Sequence, residues 1–173
     1  MPDGRHVFSM SVKVTGCNND FSDAGKLASA MAWWKSNGIE KVWLESYRHG
    51  ERVSNQRLGQ LRERLAAAGF ETCGMITPTM LNNPERGAKE AQMVVCWSDE
   101  VAQRRLREEI VRAVGFFDTV IIDDFMFSIC DDRCKRCSAD KKARGIASWP
   151  EYKRTLLAKV CERDLIGAAR GAN

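Results

Sequence analysis

A carboxylate that follows directly on a run of apolar residues is costly to bury without a task or a partner, and this chain has two such places. In VWLESYRHG, Glu45 ends the run and Arg48 and His49 follow it; in TVIIDDF, Asp123 and Asp124 end it. At the carboxyl end of a strand such a group can act as nucleophile, as general acid or base, or as acceptor for a sugar hydroxyl. The competing reading is structural, for instance an ion pair of Glu45 with Arg48. His49, one of 2 histidines, suits a turn within YRHGE as well as it suits a site. Trp97 follows Cys96 and either stacks on a sugar ring from the rim of a pocket or fills the core.

The chain has 7 cysteines, an odd number in a sequence too long for a small disulfide scaffold, which reads as a reduced, cytoplasmic chain. Three of them fall in CDDRCKRC, with spacing C-x3-C-x2-C. Thiolates this close can hold an iron–sulfur cluster or three corners of a zinc site, through Cys130, Cys134 and Cys137. Cys96 or Cys17 would then be the fourth ligand; free or partly oxidised loop thiols are the other reading. Radical S-adenosylmethionine enzymes share the spacing but have an aromatic residue before the last cysteine, where this chain has Arg136. The glycine-rich phosphate loops and the G-x-S-x-G nucleophile elbow are absent from the sequence.

Positioning these residues falls to a unit that recurs four times: a short apolar run, a polar turn, a Ser, a helical pattern and a closing Gly. Ser22 precedes Leu27, Met31 and Trp34, with Gly38 beyond; Ser54 precedes Leu58, Leu61 and Leu65, with Gly69 beyond. Ser98 precedes Ala102, Leu106, Ile110 and Ala113, ahead of Gly115. Ser148 opens SWPE, with Glu151 completing a capping box, before Tyr152, Leu156 and Val160. Ser at the N-cap and Gly after the last turn are what helix ends require. The intervening runs, 7–14, 41–45, 71–77 and 119–123, read as strands buried on both faces, which indicates a parallel α/β sheet. QMVVC at 92–96 reads as the return of a long loop. Four βα units fill the 173 residues, whereas a closed eight-unit barrel takes about 250. An open α/β sandwich and the first half of a barrel both satisfy this count, and either puts chemistry at the carboxyl ends of the strands.

A net charge of +4, from 27 basic and 23 acidic residues without clustering, argues against nucleic acid or an anionic membrane as partner. No apolar run approaches the roughly 18 residues of a membrane span, and MPDGRHVFSM lacks the apolar stretch of a signal peptide.

KVWLESYRHG, GMITPT, VVCWSDE, REEIVRAVGFFDTVIIDDFMFSIC and SWPEYKRTLLAKV together resemble a group of poorly characterised bacterial glycoside hydrolases with a TIM-barrel catalytic domain. The resemblance spans about residues 6–165 and is most specific over 118–154. It implies half of a (β/α)8 barrel, a carbohydrate substrate and hydrolysis that requires no cofactor. It suggests Asp123 and Asp124 as active-site carboxylates, with Glu45 and Arg48 lining the same pocket; His49 and Trp97, read from their own positions, are the further candidates for contact with substrate. Cys130, Cys134 and Cys137 would form a cysteine-rich loop, open to a structural zinc. The family continues into strands five to eight, where barrel glycosidases place the partner carboxylate. The expectation is therefore a single (βα)4 domain over 1–173, a fragment of a longer barrel or, if complete, a homodimer.

Overall fold

The computed structural model describes residues 8–79, 81, 95–124, 130 and 132–172. Four parallel strands form the sheet: β1 (Phe8–Val12), β2 (Ile39–Arg48), β4 (Glu71–Thr77) and β5 (Val120–Ile122), neighbours in that order. A short β3 (Glu51–Arg52) pairs antiparallel with the end of β2. The helices are α1 (Val14–Asn18), α2 (Ala24–Ser36), α3 (Asn55–Ala67), α4 (Glu100–Val114), α5 (Lys135–Ala143) and α6 (Trp149–Val160). A π-helical stretch, Cys161–Gly167, then leads into α7 (Ala168–Gly171).

The fold is α/β, a parallel sheet built from alternating strand and helix units, as expected. Parallel strands that are neighbours both in the chain and in space, joined by crossovers of one hand, put their helices on one face. The strand order runs straight through without a reversal, as it does in half of a TIM barrel. Val12, Leu44, Gly74 and Val120 lie in register across the four strands. Val42 and Leu44 bury completely against Leu27 and Trp34 of α2 and Leu58, Leu61 and Leu65 of α3. The alternate residues Ser9, Ser11 and Ile121 are exposed. The strands are therefore not covered on both faces along their whole length: β1 and β5 keep one side open.

Two expected N-caps shift by one residue. Asp23, not Ser22, accepts from the Gly25 and Lys26 N–H groups at 2.7 and 3.1 Å, and Asp99, not Ser98, caps α4 through Val101 N–H. A carboxylate is the stronger acceptor for these orphan donors. Ser22 instead donates to the Asn19 carbonyl, while Ser98 lies among cysteine sulfurs. Ser54 and Ser148 cap α3 and α6 as expected. The expected loop at 92–94 lies outside the described residues; Val95 makes an isolated bridge. Among the described residues no helix is long and apolar enough to cross a membrane.

Candidate functional site

At the carboxyl end of β2 the chain turns back on itself through His49 (φ 52°) and Gly50 (φ 84°). Two consecutive left-handed residues make a tight hairpin turn whose twist suits the strands, and it brings β3 alongside β2. The turn read from YRHGE is thus present. Just inside it, Glu45 is fully buried and receives three hydrogen bonds. Val14 N–H donates to Oε2 at 3.1 Å, while Arg48 Nε and Thr77 Oγ1 each donate to Oε1 at 2.6 Å. These donors compensate the burial of its charge.

Arg48 then reaches the other way. Its Nη2 lies 3.3 Å from Asp123 Oδ2. The Asp123 side chain is 44% exposed, against 0% for Glu45, so the relay runs from a buried carboxylate through Arg48 to one that faces solvent. Asp123 N–H donates to the Ile76 carbonyl at 2.8 Å, continuing the pairing of β5 with β4. Its Oδ1 accepts from Asp124 N–H at 3.1 Å. Asp124 has φ 54°, a left-handed conformation that Asp tolerates better than most residues. Glu45, Arg48, Asp123 and Asp124 therefore meet at one end of the sheet.

His49 borders this group from the hairpin. Its N–H donates to Thr79 Oγ1 at 3.2 Å and its Nδ1 lies 2.8 Å from the same oxygen. The Thr79 hydroxyl thus ties both the backbone and the ring of His49, the direction of the ring hydrogen bond following the tautomer. Tyr47 OH donates to the Thr79 carbonyl at 3.1 Å. Trp97 lies elsewhere, fully buried in a cluster with Leu106, Tyr152 and Leu156. Its ring is core, the alternative its sequence context allowed, and has no open face on which a sugar could stack. Thr77 and Thr79, which the motif reading passed over, both come from GMITPT. Their signal was two hydroxyls at the mouth of a strand, directly after the apolar pair Met75 and Ile76.

The thiols gather around the start of α4 and α5. Cys96, Cys130, Cys134 and Cys137 bring their sulfurs within 4.8 Å of one another. Cys96 Sγ lies 3.8 Å from Cys134 Sγ and 3.7 Å from Cys137 Sγ. Ser98 Oγ sits 3.2 Å from the Cys96 sulfur and 3.4 Å from that of Cys137. Hydrogen bonds from Cys130 and then Cys96 hold the Cys137 thiol far below the usual range. Cys130, bonded to Cys137 and then Cys96, is pushed up. At Cys96 a bond from Cys130 pulls down, but the bond to Cys137 and burial prevail and raise it to about 11. Of the two expected fourth members the structure brings in Cys96. Cys17 is buried in the other core cluster, its thiol on the Val12 carbonyl.

The model of a family described as probable glycosyl hydrolase, catalytic domain, matches residues 3–173. Comparison with curated proteins and with solved structures returns no match.

Proposed function

The chain belongs to this family of glycosyl hydrolase catalytic domains, and from that membership we propose that it cleaves O-glycosidic bonds with carboxylates at the strand ends. The observation that carries the proposal is the relay Glu45–Arg48–Asp123. A buried anion holds a cation, and the cation holds a carboxylate that substrate can reach. Asp123 is the acting carboxylate, held by Arg48 and open to solvent, and Asp124 is the second carboxylate of the pocket. Glu45 assists from behind by fixing Arg48, and His49 contacts the substrate from the hairpin. The reading takes 1–173 as one (βα)4 half of a barrel, acting on carbohydrate in the cytoplasm; the 7 free thiols support that compartment.

The test is release of aryl leaving groups from a panel of chromogenic glycosides, and of reducing ends from polysaccharides, by the protein in its natural full length. Asp123→Asn is expected to lower kcat/KM by roughly 100- to 10,000-fold, with Asp124→Asn lowering it less. Undiminished cleavage in both variants refutes the assignment. The hydrolysis draws on no cofactor. The four thiols favour a second, structural reading alongside it, with zinc bound at the cysteine loop.

A further inference from the structure

We infer that Cys96, Cys130, Cys134 and Cys137 bind one zinc ion in a closed tetrathiolate, and that this ion fastens α5 and Cys130 to the start of α4. The inference rests on the metal reading of the cysteine loop and is independent of the hydrolase reading.

The spacing of the sulfurs argues for a single ion. Tetrahedral zinc with Zn–S bonds of about 2.3 Å sets its thiolates roughly 3.8 Å apart. The separations from Cys96 are 3.7 and 3.8 Å. An iron–sulfur cluster, whose inorganic sulfides lie between the irons, would hold its cysteines much farther apart. Four protein ligands leave no open position for water or substrate, the arrangement of a structural site and not a catalytic one. Ser98 Oγ, within reach of two sulfurs, supplies the outer hydrogen bonding that such ligands use.

The need for the ion comes from α5 itself. Its nine residues, KRCSADKKA, bury only Cys137. A helix this short is marginal in water and depends on packing an apolar face, which α5 lacks. Its other ties to the rest of the fold run through polar and charged groups, among them Arg136 to Asp99 at 3.2 Å, Asp140 to Tyr152 OH at 2.8 Å and the Lys141 ammonium 5.7 Å from the centroid of the Trp149 ring. The Arg136 side chain is largely exposed, and such pairs contribute little. Cys134 occupies the N-cap of α5 without making a side-chain capping bond, and Cys137 lies in the first turn. The positive end of the helix therefore faces the thiolates.

Metal analysis of protein purified under reductant without oxygen is the first arm. Near-stoichiometric zinc is expected, and cobalt(II) substituted for it should give the intense d–d absorption and thiolate charge transfer of a tetrahedral tetrathiolate. Cys96→Ser and Cys137→Ser should lose that spectrum, while Cys17→Ser and Cys161→Ser keep it. Iron, with or without sulfide, overturns the zinc assignment. Thiols that all titrate without metal, or that pair as disulfides, overturn the metal reading itself. Zinc retained in Cys96→Ser overturns the ligand set. The second arm uses wild-type protein, so that no variant has to fold. Chelating the zinc should abolish amide-exchange protection over 135–143 and leave β1 and β2 protected. Unchanged protection of α5 overturns the fastening role even where zinc binds, and cleavage of glycosides has no bearing on either arm.

Discussion

Removing the charge of Glu45 strips Arg48 of the anion that accepts from its Nε and leaves Val14 N–H and Thr77 Oγ1 facing an altered acceptor. Glu45→Ala is expected to cost about 3–5 kcal/mol, the usual result of orphaning one member of a buried pair. Glu45→Gln should cost less but still release Arg48 from Asp123. Urea midpoints measure the first effect and kcat the second; a Gln variant with full stability and activity would mean that the relay holds nothing. Cys17 offers a pH test. Burial first, and then the neighbouring Glu45 charge, raise its thiol from about 9 to about 12. The folded state thus keeps a proton that the unfolded chain gives up. The stabilisation is complete below pH 9 and is lost as pH climbs toward 12, by up to about 4 kcal/mol. Burial drives Tyr47 in the same direction, also to about 12. Unfolding midpoints should therefore hold up to about pH 9 and fall above it, with a shallower decline in Cys17→Ala.

Among the elements, β4 carries a constraint that its sequence does not advertise. A Cβ at Gly74 would come within 2.6 Å of the Phe117 ring, so the close seating of Phe117 against the strand depends on glycine. Gly74→Ala should destabilise by about 1–3 kcal/mol, the range for overpacking, and an unchanged melting curve would show that the ring moves aside freely. The helices that were legible, α2, α3, α4 and α6, share an apolar stripe long enough to set a period. The elements that were not legible have none. In α5 one residue is buried, β3 has two residues, and α1 spans only VTGCN. The π-helical stretch contains Asp164, a fully buried carboxylate that accepts from Arg107 Nη1 at 2.5 Å and Arg163 Nε at 2.8 Å. Its partner on α4 lies 57 positions away, a pairing that local pattern cannot announce. The candidate site shows the same divide. The positions of Arg48 at the end of β2 and of Asp123 and Asp124 just beyond β5 followed from apolar runs, but β2 continues three residues past Glu45, and burial alone distinguished the carboxylate that orients from the one that faces solvent. Cys96 could not be chosen over Cys17 from spacing, because both lie far from the cysteine loop in the chain.

For the molecule as a whole, the outer strands matter most. Among the described residues β1 and β5 end the sheet; Phe8 on β1 is 59% exposed and Ile121 on β5 is 41% exposed, and strand edges with apolar side chains recruit further strands. This chain expressed by itself should self-associate with rising concentration in sedimentation experiments. Ile121→Lys should weaken that association while changing stability by less than about 0.5 kcal/mol, as exposed substitutions generally do. A concentration-independent monomer would mean that the edges are inert. The straight strand order β1, β2, β4, β5 also bears on how the chain is made. Each parallel strand docks onto the one before it, and none has to be inserted between two already in place. Synthesis from the amino end can therefore build the sheet outward in the order of translation, each finished edge serving as the template for the next strand while the remainder of the chain is still within the ribosome.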